Sequence, residues 1–143
     1  MSAVLANVSC VALDGAPGLR AVLIEGEPGS GKTSLALALI DRGAVLIGDD
    51  GVTLRPRGGR LLASPPPNIA GLIEVRSVGL VRLATASAPL ALVIRLDEAA
   101  PRHIETAATV ERAGLAVPAV SLHPAGAVLP LRAEYALKAH GLA

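Results

Sequence analysis

A glycine-rich segment that follows a short apolar run and opens a run of good helix formers constrains the fold of this chain more than any other feature. The segment matches the pattern G-x-x-x-x-G-K-[ST], and its residues are Gly26, Glu27, Pro28, Gly29, Ser30, Gly31, Lys32 and Thr33. Because it lies between a predicted strand at 21–25 and a predicted helix at 33–42, it indicates a phosphate-binding loop whose N–H groups turn inward. A turn that only packs tightly has no need of Lys32, so we predict nucleotide or phosphate binding.

The size of the chain predicts one domain, because 143 residues lie within the usual length of a single domain. No repeat or linker divides residues 1–143. With 52% hydrophobic and 17% charged residues, the chain can form a compact aliphatic core. Its 13 basic and 12 acidic residues give a net charge of +1, and its single aromatic residue is Tyr135. We therefore expect no nucleic-acid partner, since the chain offers neither a basic field nor a row of rings for stacking bases.

A single cysteine, Cys10, excludes a disulfide within the chain and a multi-thiolate metal site, and it favours a reducing cytoplasm. The apolar start has no preceding basic residue and is interrupted by Asn7, unlike a secretory signal. Charged residues interrupt each longer apolar stretch before it reaches the roughly 20 residues that span a bilayer. We therefore expect a cytoplasmic protein with no membrane partner and with Cys10 as a small core residue. The histidines lack metal-ligand spacing, and they are His103, His123 and His140.

The first half of the chain predicts an α/β fold. Apolar runs at 8–13 and 20–25, joined by a dense turn signal at 14–18, predict a β-hairpin. Leucines spaced along 33–42 predict a helix, and 44–47 is a short buried strand. Strand, glycine loop, helix and strand form a βαβ unit, whose crossover predicts two parallel strands in a right-handed connection.

The second half predicts further strands and a terminal helix. The expected strands are two short ones within 52–63 about a turn at 57–59, then 72–83, 90–96 and 117–122. The expected loops are 64–68 and 84–89. Residues 101–111 are either a loop or a short helix, and 131–140 predict a helix with Arg132 and Lys138 facing solvent.

Two pairs of carboxylates follow predicted strands and are candidates for binding Mg²⁺ or transferring a proton. Asp49 and Asp50 follow the strand after the predicted helix, and Asp97 and Glu98 follow a later apolar strand. Either pair could face the phosphates, because ligands of open α/β sheets lie outside the carboxyl ends of the strands. A plain turn and a solvated strand end are the simpler interpretations of the two pairs. Adjacent carboxylates can divide the roles, one ionised on Mg²⁺ and one accepting a hydroxyl proton, which favours Asp49 and Asp50.

The segment IEVRSVGL at 73–80 carries Glu74 and Arg76 on one face of a predicted strand. One interpretation is a salt bridge at the edge of a sheet, which contributes little stability. The other is a second contact to Mg²⁺ or phosphate. Sequence alone does not choose between them.

Taken together, the segments NVSCVALDG, GEPGSGKTSLALALIDRGAVLIGDD and IEVRSVGLVRL resemble the catalytic domain of HPr kinase/phosphorylase, in the short form that lacks the N-terminal domain. The resemblance covers nearly all of the chain, and IEVRSVGL is similar to the signature E-[IV]-R-G-x-G. It implies a phosphoenolpyruvate-carboxykinase-like α/β P-loop fold with a mixed sheet and few helices. It also implies an ATP- and Mg²⁺-dependent kinase for a serine of the carrier protein HPr, with a reverse reaction in which inorganic phosphate releases pyrophosphate.

Carried over by position, the resemblance assigns roles to individual residues. The nucleotide would be held by Gly26, Glu27, Pro28, Gly29, Ser30, Gly31, Lys32, Thr33, Ser34 and Arg76. The residues at Mg²⁺ would be Thr33, Glu74 and Asp49. Asp50 would be the base toward the serine hydroxyl and, in reverse, the acid. Lys32 would hold the phosphates, and Asp49 would support the metal or orient its neighbour. Arg76 would organise Glu74 or meet phosphate charge.

Two positions and one segment depart from the family pattern. Asn7 stands where the family usually has histidine, and asparagine carries neither a charge nor a proton to transfer near pH 7. Ser77 replaces the signature glycine, a change that matters if the position needs a positive φ. Residues 122–126 contain no arginine, whereas the long forms carry arginines there.

These departures leave two other functions open. One is a nucleotide-binding sensor with little or no phosphoryl transfer. The other is a P-loop kinase for another acceptor, although no arginine-rich helical insertion supplies the lid expected of a small-molecule kinase. The long forms of the family assemble as hexamers, so the resemblance also permits a homo-oligomer.

Overall fold

The computed structural model describes residues 2–15 and 18–143, so residues 16 and 17 of the predicted turn lie outside it. The strands are β1 (Ala3–Ala6), β2 (Ser9–Leu13), β3 (Arg20–Gly26), β4 (Val45–Gly48), β5 (Gly51–Arg57), β6 (Arg60–Ser64), β7 (Leu72–Val75), β8 (Gly79–Arg82), β9 (Ala88–Leu96), β10 (Ala108–Arg112) and β11 (Leu115–Leu122). The helices are α1 (Lys32–Asp41) and α2 (Leu129–His140).

Nine of the strands form one mixed sheet, which confirms the predicted α/β fold with a mixed sheet and few helices. Its main path is β1-β5-β6-β9-β3-β2-β4, and β11 and β10 branch from β9. The strands β3, β9 and β11 are parallel, while the other pairs of this sheet are antiparallel. The carboxyl ends of β3, β9 and β11 therefore meet at one edge, where the glycine-rich loop follows β3.

The predicted βαβ unit is present with one strand inserted. β3 and β4 run in the same direction, as expected, but β2 lies between them and is antiparallel to both. All five residues of β2 are buried, so this strand belongs in the interior of the sheet rather than at its edge. The predicted hairpin of β2 and β3 takes the central place, and α1 crosses over it to reach β4.

The region predicted as one strand at 72–83 is instead a separate two-stranded hairpin of β7 and β8. Its turn needs left-handed backbone, with Ser77 at φ 65° and Gly79 at φ 124°, which an extended strand cannot supply. Residues 101–111 were expected to be a loop or a short helix, but β10 begins within them and pairs with β11. The predicted α1, the β5–β6 pair, β9, β11 and α2 are present within one to two residues at most ends.

The core lies on both faces of the sheet and is aliphatic, as the composition predicts. Alternate residues of β2 divide between the two faces: Val11 and Leu13 face the helices, and Cys10 and Ala12 face the curled β5–β6 side. Cys10 is fully buried, which confirms the prediction of a core residue, and this burial raises the pKa of its thiol. Within the described part of the chain, neither helix is long and apolar enough to cross a membrane.

Candidate nucleotide and metal site

The glycine-rich loop joins the end of β3 to the start of α1, where the sequence placed it. Gly29 and Gly31 have φ values of 78° and 103°, which only glycine adopts without strain. A Cβ on Gly26 would meet the Ser30 side chain and would lie 3.2 Å from the Leu96 carbonyl oxygen. The loop is therefore a tight turn packed against the end of β9, with α1 beginning at its far side.

The Lys32 ammonium lies over its own loop. Its Nζ donates hydrogen bonds to the carbonyl oxygens of Gly26 at 2.8 Å and Glu27 at 3.1 Å. The positive charge thus sits inside the loop, beside the N–H groups at the start of α1. An anion that enters the loop meets this charge and the helix N-terminus together.

Asp49 is the buried acid of the site, and it is in direct contact with the loop. Its Oδ1 accepts a hydrogen bond of 2.9 Å from the Thr33 hydroxyl and another of 2.9 Å from the Ser9 hydroxyl. Asp49 is 6% exposed, and it directly follows β4 with its carboxylate against Thr33 of α1. Carboxylate and hydroxyl oxygens are the ligands that Mg²⁺ prefers, so Thr33 and Asp49 fit a magnesium ion beside the loop.

Asp50 has a different environment from its neighbour. It is exposed and has a φ of 60°, which turns its side chain away from the buried face that holds Asp49. Gly48 makes this turn possible, because a Cβ there would collide with the carbonyl oxygen of Gly51. The two acids thus offer one buried carboxylate against the loop and one carboxylate open to solvent. Gly48 was missed at the sequence level, although a glycine between an apolar strand and an acid pair is its signal.

The β7–β8 hairpin faces the open side of the loop across a cavity of about 520 Å³. The lining residues that matter here are Gly31, Lys32, Thr33, Ser34, Glu74 and Arg76. Among residues 2–15 and 18–143, Glu74 and Arg76 form no ion pair with each other, which disfavours the interpretation of a salt-bridged strand edge. Across the same residues, no group of three acidic, histidine or cysteine side chains converges on one point. Glu74 and Thr33 line the same cavity, Glu74 from the hairpin and Thr33 from the start of α1.

Ser77 lies in the hairpin turn with a φ of 65°. The position thus has the positive φ at which the replacement of the signature glycine by serine matters, because a non-glycine residue is strained in this region.

The second acid pair is placed differently. Asp97 Oδ1 accepts a 2.8 Å hydrogen bond from the Ala99 N–H, which is a turn interaction. Asp97 and Glu98 line a groove on the other side of the loop, together with Pro28 and Ser30. Thr33 contacts Asp49 rather than this pair, so the structure favours Asp49 as the partner of the loop.

Two further contacts support the site and were not expected from the sequence. The Arg112 guanidinium of β10 forms two hydrogen bonds of 2.8 and 2.7 Å with Glu25, the residue before the loop, and these raise the pKa of Arg112. The backbone N–H of Asn7 donates to the Asp50 carbonyl oxygen at 3.2 Å. Ser9 of the site was also not expected from the sequence, where its only signal is that a polar residue begins an apolar strand.

Comparison with known proteins agrees with this geometry. The chain is similar to HPr kinase/phosphorylase from Clostridium botulinum, with 47% identity over 60 residues, which are 42% of this chain and 20% of that protein. It is also similar to HPr kinase/phosphorylase from Brevibacillus brevis, with 43% identity over 65 residues, 45% of this chain and 21% of that protein. The chain spans about a fifth of the length of the curated relatives it matches.

The fold has a solved counterpart in the Hpr(Ser) kinase/phosphatase from Coxiella burnetii. The TM-score is 0.76 at 27% sequence identity, and the likeness covers 95% of this chain and 88% of that chain. The family model described as HPr Serine kinase C-terminal domain matches residues 18–112, which include the loop, both acids of the pair and the hairpin. Because that match extends over more than half of the chain, the protein belongs to the HPr serine kinase C-terminal domain family.

Proposed function

We propose that this protein is an ATP- and Mg²⁺-dependent serine kinase whose acceptor is an HPr-like phosphocarrier protein, and that it also catalyses the reverse, phosphorolytic reaction. The observation that carries the proposal is the 2.9 Å contact between Thr33 Oγ1 and Asp49 Oδ1, beside the ammonium of Lys32. A hydroxyl, a carboxylate and a lysine at the mouth of a glycine-rich loop are what a nucleotide triphosphate with its metal requires. Membership of the family supports the choice of acceptor.

The loop residues 26–34 would hold the phosphates through backbone N–H groups, with Lys32 on the β- and γ-phosphates. Thr33 and Asp49 would hold Mg²⁺, which supplies positive charge to the phosphates when it is bound. Glu74 and Arg76 face the same cavity from the hairpin. We propose that Arg76 meets phosphate charge and that Glu74 completes the metal environment once a nucleotide lies between the two sides.

Asp50 would accept the proton of the acceptor serine. Asp50 directly follows the buried Asp49 in the chain, and its exposed carboxylate is open to a protein substrate. As the serine oxygen bonds to the γ-phosphorus, its proton moves to Asp50, and the bond between that phosphorus and the β–γ bridging oxygen breaks to leave ADP. In the phosphorolytic direction an oxygen of inorganic phosphate gives its proton to Asp50 and bonds to the phosphorus of the phosphoserine. The bond between that phosphorus and the serine oxygen breaks, Asp50 returns the proton to the serine oxygen, and pyrophosphate is released.

The test is incubation of the purified protein with γ-labelled ATP, Mg²⁺ and HPr. We expect label on an HPr serine, and we expect Asp50→Asn to lower transfer by about 100- to 10,000-fold while nucleotide binding stays nearly intact. Lys32→Ala should lose both binding and transfer. Asp41→Asn is the matched control, because Asp41 is an exposed acid at the far end of α1.

Two results would contradict the proposal. A fully active Asp50→Asn variant would remove Asp50 from the role of base. Tight Mg–nucleotide binding without label on any HPr serine would favour the nucleotide sensor, or a kinase with another acceptor.

A further inference from the structure

Asp49 and Asp50 lie in a β-bulge between two paired regions of the sheet, β1–β5 and β2–β4. On one side of it, β1 pairs with β5 and Ala6 lies opposite Gly51. On the other side, β2 pairs with β4 and Cys10 lies opposite Gly48. The three residues 7–9 therefore lie opposite only two residues, 49 and 50, of the antiparallel segment. Such a bulge redirects side chains, and bulges are common next to active sites.

Each of the two segments that form this bulge has one residue in the left-handed conformation, and a backbone hydrogen bond joins these two residues. Asn7 and Asp50 each have a φ of 60°, and the Asn7 N–H donates to the Asp50 carbonyl oxygen at 3.2 Å. Asparagine, aspartate and histidine are the non-glycine residues most often found in this region. Asn7 is therefore a residue type that suits the left-handed backbone at position 7.

Ser9 connects the bulge to the metal side of the site. It is 1% exposed and opens a strand whose other four residues are apolar and buried. Alanine would serve packing there equally well, and a buried hydroxyl is costly unless it has a partner. Its partner is Asp49 Oδ1 at 2.9 Å, the same oxygen that accepts the Thr33 hydroxyl at 2.9 Å.

We propose that Ser9 is a positioning residue, whose hydroxyl holds the Asp49 carboxylate in the orientation that binds Mg²⁺ together with Thr33. The inference rests on the proposed binding of Mg–nucleotide. Ser9 holds one oxygen of the carboxylate from the β2 side while Thr33 approaches it from α1. Without the hydroxyl, the carboxylate rotates away from the loop, and Mg²⁺ adds less to nucleotide affinity. Partners that orient a metal ligand typically change metal affinity by about 10- to 100-fold when they are removed.

The experiment is calorimetric titration with a non-hydrolysable ATP analogue, once with Mg²⁺ and once with EDTA. In Ser9→Ala we expect the gain in affinity on adding Mg²⁺ to fall by roughly tenfold, while affinity in EDTA stays within about twofold of the wild type. Ser9→Cys keeps the volume with only a weak donor and should lose the gain as well. Ser9→Thr keeps the hydroxyl and should restore it. Cys10→Ala, an equally buried neighbour on the opposite face of β2, is the control and should keep the full gain.

Thermal unfolding of each variant checks that it is folded before titration. If Ser9→Ala does not fold, the titration of Ser9→Cys tests the loss of the hydroxyl in its place. A full Mg²⁺ gain in both Ser9→Ala and Ser9→Cys would overturn the role of Ser9 and leave the proposed function standing. Equal loss in Ser9→Thr and Ser9→Cys would also overturn it, because packing rather than the hydroxyl would then be responsible. A wild-type protein that does not bind the analogue in either buffer would contradict the proposed function itself, and the role of Ser9 with it.

Discussion

The two sides of the candidate site are built differently. One side, the floor, consists of Ser9 of β2, Asp49 directly after β4 and Thr33 of α1, and β2 and β4 are paired within the nine-stranded sheet. The other side is the β7–β8 hairpin, a separate two-stranded sheet that carries Glu74 and Arg76. Ser9 and Asp49 of the floor are buried and Thr33 is half-buried, whereas Val78 and Leu80 of the hairpin are 74% and 70% exposed.

The contrast indicates a division between a preorganised half and an adaptable half. The floor already has its hydroxyls hydrogen-bonded to Asp49, so binding a metal there requires little rearrangement. The hairpin is closed at its base by the Leu83 N–H, which donates to the Gly71 carbonyl oxygen at 2.7 Å. Elements with few buried contacts open at a low free energy, so the hairpin is the side that can adjust to a nucleotide or a protein acceptor.

The largest expected effect on stability comes from a substitution at Gly48, the residue before Asp49 of the floor. A Cβ at this position would collide with the carbonyl oxygen of Gly51, and backbone cannot move aside as a flexible side chain can. We expect Gly48→Ala to lower the free energy of unfolding by about 3 kcal/mol, measured by denaturant titration. Gly58→Ala is the control: it has a φ of 60° with no atom near the added Cβ, and should cost only about 1 kcal/mol. Equal losses in the two variants would show that the floor is no tighter than the β5–β6 turn.

A pH titration tests how tightly the strand beneath the floor is packed. Burial raises the pKa of Cys10 above its ordinary value, so the folded protein keeps the proton that the unfolded chain releases from about pH 9 upward. The stabilisation is fully present below that pH and is lost as the pH rises, at about 1.4 kcal/mol per pH unit from this group. We expect Cys10→Ala to have a flatter decline in stability between pH 9 and 10. Identical slopes for the variant and the wild type would mean that the thiol ionises in the folded state.

The smallest expected effect is in the hairpin, at Ser77. Glycine relieves the strain of a φ of 65° but gives the unfolded chain more freedom, so Ser77→Gly should stabilise the hairpin by only about 0.5–1 kcal/mol. Amide hydrogen exchange of β7 and β8 should therefore slow a few-fold, while exchange in β2 and β3 stays unchanged. Ser87→Gly, at an exposed serine outside the hairpin, is the control. Slower exchange throughout the sheet would show that the hairpin does not open independently.

Local signals were sufficient to predict much of the site. The glycine spacing, Lys32 and the helix formers after it placed the loop between β3 and α1, because these features act over a few neighbouring residues. The acid pair after β4 was found for the same reason. The hairpin at 72–83 was wrongly predicted as one strand, since an apolar run does not show that Ser77 takes a positive φ.

The loop, its lysine, its threonine and the α/β class could be predicted from the amino-acid sequence, because each depends on short-range pattern and backbone chemistry. Three features come from tertiary contacts instead: β2 lies between β3 and β4, the bulge at 7–9 faces the acid pair, and Ser9 and Thr33 share one oxygen of Asp49. Those contacts join residues 40 and 16 positions apart. Their partners are chosen by which strands pair and how deeply they are buried, and no local pattern in the chain records that choice.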